Sequence, residues 1–234
     1  MRIADMKCRS RRISPPTTAA SCRSARPSST RLSLCVDAIL AERVAVEAAE
    51  PLGVPVYPAM PFGLAPYFLA FPGTISLQVE TLLAVVRDLV ASVHRAGFRR
   101  VLIVNGHGGN MPVSALAQEL MAGRPSLSLK FHSWWNAPKT WAKVQEIDPS
   151  GTHASWLENF PWTRLAGAAA PTGAKPAPDL ALMRASSPDD VRTILGDGSF
   201  GGEYEKPDDV MLALWRAGVE EVREALEGPW PSRS

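Results

Sequence analysis

The stretch Val101–Asn110 reads VLIVNGHGGN. Its first half, with Arg99 and Arg100 before it, is a short β-branched run of the kind that forms a parallel strand buried on both faces. The run ends in Asn105–Gly106, and one histidine, His107, stands among Gly106, Gly108 and Gly109. In open α/β sheets, ligands gather at the carboxyl ends of the strands. Glycines there let the backbone turn tightly and approach a ligand, and a histidine can present a ring nitrogen to a metal. The plainer alternative is a capped turn with a hydrogen-bonded histidine. A nucleotide cradle is excluded, because GxGxxG is absent and no Lys-Ser/Thr pair follows.

The flanking sequence repeats the alternation of helix and strand. Upstream, VDAILAERVAVEAAE from Val36 spaces its apolar residues as an amphipathic helix does. VPVYPAM from Val54 is strand-like, and a Pro/Gly-rich loop runs from Pro61 through FPGTISL. VETLLAVVRDLVASVHRAG is a long helix that ends at Gly97. Downstream, MPVSALAQELMAG is helical and LSLKFHSWW is a further strand. HASWLENFPWTRLAG begins as a helix and meets Pro161, and GDGSFGGEYEKP is a glycine-rich loop. PDDVMLALWRAGVEEVREALEG is a final amphipathic helix. The pattern predicts one α/β domain, a mostly parallel sheet flanked by helices.

Composition narrows the function. The 234 residues suffice for one sizeable core, and no apolar run approaches the length of a membrane span. Residues 1–31 hold eight Lys/Arg and one acidic residue, which leaves 17 basic and 22 acidic residues in the remainder. The mildly acidic body argues against nucleic-acid binding through a basic face. Cys8, Cys22 and Cys35 have neither metal-site nor disulfide spacing, which suits a reducing compartment.

Other segments carry reactive side chains. His153 and Glu158 lie in GTHASWLENF, Ser76 in FPGTISL, and Asp37 opens the first clear helix. Each has an ordinary explanation when taken singly. Asp37 is a first-turn acid favoured by the helix dipole, Ser76 and His153 are helix caps, and Glu158 is a solvated carboxylate.

Taken together, these segments resemble the creatininase (creatinine amidohydrolase) family. The resemblance runs from about Leu32 to the end of the chain. It rests on FPGTISL, a long helix, then a strand into NGHGGN, with GTHASWLENF and GDGSFGG following. It implies a three-layer fold and metal-dependent hydrolysis of a non-peptide C–N bond in a cyclic amide or formamide. Two divalent ions (Zn, Mn or Fe) would activate a hydroxide. By the same resemblance Asp37, matched in LSLCVD, bridges both ions, and His107 binds one. Creatininase proper takes a further carboxylate from the position that is Gly109 here, so Glu158 is the substitute candidate. His153 would pass a proton to the leaving nitrogen, while Ser76, Gly108 and Trp156 would contact the substrate. A homo-oligomer, a cytoplasmic location, a small-molecule amide substrate, and no nucleic-acid or membrane partner complete the expectation.

The resemblance also exposes a gap. The family supplies a Glu and a His upstream of the Asp, at positions that hold Arg26 and Ser28 here. Arginine offers no lone pair to a metal. Written in GC-rich codons and read from the third base of the Ser21 codon, Ser21–Thr30 yields Leu-Pro-Val-Gly-Ala-Thr-Glu-Gln-His, the missing motif. Residues 1–31 are therefore expected to be a frame-shifted, aberrant segment without packed structure, and 32–234 the amidohydrolase domain. An Arg/Ser-rich targeting peptide is the rival reading of that segment. As written, the chain is expected to be impaired. A catalytically inactive binding or scaffold protein of the same fold is the alternative function.

Overall fold

A computed structural model describes residues 12–13, 32–169 and 171–231. Among the described residues, three parallel strands form the sheet, in the order β1 (Arg12–Ile13), β2 (Arg100–Asn105), β3 (Ser128–Ser133). Val101 of β2 pairs with Ile13 on one side and Leu129 on the other. The central strand is VLIVN, and its side chains alternate between two cores as strand geometry requires. Leu102 and Val104 face a layer made by α1 (Val36–Ala49) and α7 (Asp208–Glu227), with α4 (Pro138–Ile147) beside them. Val101 and Ile103 face α2 (Val79–Arg95) and α3 (Pro112–Ala122). Helices thus cover both faces of a parallel sheet, as the helix–strand alternation predicted.

Each layer follows from its sequence pattern. In α2 the buried residues are Leu82, Val86, Val90 and Val93, one stripe at helical spacing. The helix ends beside Gly97 at φ +101°, a left-handed position that favours glycine. In α7, Met211, Leu214, Trp215, Val219, Val222 and Leu226 face inward. Glu221 on the same helix accepts from the backbone N–H groups of Lys139 (2.9 Å) and Thr140 (2.8 Å) and from the Thr140 hydroxyl (2.8 Å). Its carboxylate satisfies orphan amides in the first turn of α4 and joins two helices that sequence alone does not pair.

Two expectations are corrected. VPVYPAM forms no strand, only isolated bridge positions at Val56 and Met60, because Pro55 and Pro58 remove the donors a ladder needs. HASWLENF forms a single 3₁₀ turn, Trp156–Glu158, with Ala154 just before it at φ +54°. In the N-terminal segment only residues 12–13 are described. Arg12 and Ile13 pair with β2, since an open strand edge accepts any extended backbone. Ser21–Thr30, with Arg26 and Ser28, lies outside the described residues.

Two short strands, β4 (Ala174–Lys175) and β5 (Gly202–Glu203), pair antiparallel. Between them lie the short helices α5 (Leu180–Arg184) and α6 (Pro188–Leu195). Met183, Val191 and Leu195 pack with Phe68 and Phe71 in a satellite core. Among the described residues, no helix is long and apolar enough to cross a membrane.

Candidate active site

The glycine loop leaves β2 at its carboxyl end and closes against the start of α1. At Gly106 a Cβ would stand 2.6 Å from the Asp37 carbonyl oxygen and 2.9 Å from the Ala41 Cβ. Only glycine permits that approach, and it brings His107 onto Asp37. The two are the most buried reactive groups of the site, at 4% and 3% exposure. His107 Nδ1 lies 3.0 Å from Asp37 Oδ2, and His107 Nε2 lies 2.8 Å from the Leu64 carbonyl oxygen. Asn105 holds the loop from below. Its Nδ2 donates to the His107 carbonyl (2.9 Å) and its Oδ1 accepts from the His107 N–H (3.2 Å) and Asn110 Nδ2 (3.2 Å).

A second pair forms beside the first. His153 Nδ1 is 3.6 Å from Glu158 Oε1, and that oxygen accepts from the Ala154 N–H at 3.2 Å. The His153 imidazole is held between aromatic rings. Phe68 stacks on it at 5.1 Å with 9° between the planes, and Phe200 lies 4.4 Å away. The Phe200 N–H also donates to the His153 carbonyl at 3.0 Å. The loop that carries Phe200 is pinned by Lys175, which donates to Asp197, Leu195 O and Ser199 O, and by the Tyr204 hydroxyl, which donates to Asp197 at 2.6 Å. Burial first, then the Asp197 carboxylate, pushes the Tyr204 hydroxyl pKa far above its ordinary value, so it stays a donor.

Asp37, His107, Gly108, His153 and Glu158 line one cavity of 590 Å³, with Thr152 and Asn136. Aromatic side chains make much of its wall: Tyr67, Phe68, Trp134, Trp135, Trp141 and Phe200. Five of the seven sequence-derived site residues therefore meet in one place. The other two do not line it. Ser76 accepts from the Ala65 N–H (2.9 Å) and donates to Leu77 O (3.0 Å), which fixes the loop before α2. Trp156 is wholly buried in the core under α1 and α7. Arg184 and the tryptophans of the cavity wall belong to no motif, and sequence reasoning missed them. Asn105 was visible as the first residue of NGHGGN, but nothing in the sequence marks it as the brace of the loop.

The donor set does not fit a metal centre as it stands. Among the described residues, no three His, Cys, Asp or Glu side chains gather to hold an ion. Both His107 nitrogens are engaged, one by Asp37 and the other by a carbonyl that can only accept. The position of the additional carboxylate is also closed: a Cβ on Gly109 would stand 1.8 Å from Leu64 O and 2.8 Å from His107 Nε2.

Parallel strands between helical layers, with a histidine loop opening on a cavity at the carboxyl end of the central strand, define an α/β protein with a candidate hydrolytic pocket. The creatininase (creatinine amidohydrolase) family model matches residues 28–222. The chain belongs to that family of hydrolases. A creatinine amidohydrolase from Pseudomonas putida is 31% identical over 127 residues, half of this chain and 49% of that protein. The chain thus spans about half the length of this relative. Among solved structures, a zinc–zinc form of a creatininase variant aligns with a TM-score of 0.68 at 20% identity, covering 93% of this chain and 90% of that one. A manganese creatininase aligns with the same TM-score and identity, covering 97% and 92%.

Proposed function

We propose that the cavity at the ends of β2 and β3 is the substrate pocket of a metal-dependent amidohydrolase acting on a non-peptide C–N bond. As written, the chain is impaired because its metal centre is incomplete. Family membership and the zinc and manganese forms of its structural relatives support the metal-dependent class. The observation that carries the impairment is the closed Asp37–His107–Leu64 arrangement, with no group of three metal-ligating side chains among the described residues.

The residues that remain have defined tasks. His153 is oriented by Glu158 and by the stacked Phe68 and Phe200, and it would hand a proton to the departing nitrogen. The aromatic wall excludes water and takes a flat amide, and Asn136 supplies a neutral polar contact. The substrate is a small cyclic amide or a formamide. A cytoplasmic homo-oligomer without nucleic-acid or membrane partners is the setting we propose, on the strength of the resemblance and the mildly acidic body.

The test compares the chain as written with a version in which residues 20–28 are replaced by Leu-Pro-Val-Gly-Ala-Thr-Glu-Gln-His, which puts Glu and His at the positions of Arg26 and Ser28. Metal content and hydrolysis of creatinine and formamides are measured for both. The replaced chain should gain bound zinc or manganese and metal-dependent turnover that the written chain lacks. If the written chain holds two ions and turns over equally fast, the proposed impairment is wrong.

A further inference from the structure

One cation stands on the cavity wall without a role in proton transfer. Arg184 ends α5 and is the one Arg or Lys among the described residues that line the cavity. It is exposed, and among the described residues no acceptor or carboxylate engages its guanidinium. Two large apolar side chains line the same cavity and are also exposed, Trp141 at 39% and Leu180 at 41%. Exposed apolar surface at a concave site marks a place where a ligand is covered. A guanidinium beside it matches a carboxylate through two parallel N–H···O bonds.

We infer that Arg184 determines specificity, and that the pocket takes an amide carrying a carboxylate on a flat, apolar body. This inference rests on the pocket reading above and narrows it to a substrate class. The charges on the wall set the ligand's orientation. Asp37 and Glu158 repel a second carboxylate, while Arg184 attracts it. The carboxylate therefore turns to Arg184, and the amide is left for His153. A phosphate is disfavoured by the same inventory, because a dianion asks for more than the one Arg or Lys among the described lining residues.

Isothermal titration of the full chain with 4-formamidobenzoate and 4-formamidobenzamide tests this. The two probes share a formamide and a planar ring and differ in charge. The benzoate should bind about five- to ten-fold more tightly, the size of one partly exposed charge-assisted pair. Added salt should narrow the gap. R184Q should abolish the preference without changing affinity for the benzamide, and R184K should keep part of it. Arg184 is exposed, so R184Q should melt with the parent. Equal binding of the two probes by the parent, or an unchanged preference in R184Q, overturns the inference and leaves the pocket reading intact. Absence of binding by either probe overturns both.

Discussion

The contact between Gly109 and Leu64 makes a sharp prediction. In Gly109→Ala the new methyl carbon would stand 1.8 Å from the Leu64 carbonyl oxygen, where ordinary contact begins at 3.4 Å. The strand-end loop or the Leu64 segment must then move by about 1.6 Å, since neither atom belongs to a flexible side chain. Moving Leu64 breaks its contact with His107 Nε2, a buried hydrogen bond whose loss costs about 1–3 kcal/mol. Overpacking of the displaced backbone adds about 1–3 kcal/mol, so the substitution should cost about 2–6 kcal/mol in all. Gly108→Ala is the matched control. Its Cβ meets nothing within 4 Å, so it should change stability by less than about 1 kcal/mol. Urea denaturation of the two variants, read by tryptophan fluorescence, measures the difference. If Gly109→Ala unfolds at the same urea concentration as Gly108→Ala, then Leu64 does not close on His107 as described. The explanation for the missing carboxylate at this position would fall with it.

Three further outcomes follow from other sites. Glu221→Ala strips the first turn of α4 of its carboxylate and leaves two amides and a buried hydroxyl unpaired, which should cost about 2–4 kcal/mol in denaturant unfolding. A cost below that of an average surface substitution would contradict the role given to it. The His132 imidazole titrates below its ordinary value of 6.5, because burial penalises the cation and Lys130 adds to it, with Glu221 opposing. A depressed folded-state value means that its stability contribution is complete above 6.5 and is lost as pH falls toward the folded value. His132→Asn should therefore shrink the drop in melting temperature between about pH 7 and pH 5, and an unchanged drop would refute this. Finally, EDTA should leave the melting temperature of the written chain within about 1 °C. A large fall would reveal a bound ion that stabilises the fold.

The parts of the fold that sequence disclosed are those with a local signature. The stripe Leu82, Val86, Val90, Val93 identifies α2, and the apolar run into Asn105 identifies the central strand. The Asp37–His107 pairing was foreseen as proximity through the family resemblance, yet its closed geometry was not. That geometry depends on Leu64, whose backbone carbonyl has no signature in the sequence. Arg184 and Trp141 were missed for a related reason. Neither sits in a motif, and only the folding of α5 and α4 onto one cavity gives them a common purpose. Trp156 shows the converse failure. Its motif suggested substrate contact, but the 3₁₀ turn that replaces the expected helix points it into the core.

The N-terminal strand separates what the fold requires from what the chemistry requires. Beside β2, Arg12 and Ile13 supply backbone N–H and C=O groups to the sheet, and those groups are the same whatever side chains accompany them. The helices on both faces bury Val101, Leu102, Ile103 and Val104. A change of side chains in a paired strand therefore leaves its backbone hydrogen bonds to the sheet in place. A metal centre has no such tolerance, because each ligand is a particular side chain at a particular place. In this chain His107 and Asp37 hydrogen-bond to each other, and the Leu64 carbonyl takes the remaining imidazole nitrogen. A changed side chain can be neutral for backbone pairing and costly for a metal centre, so stable folding of this chain would be no sign of activity.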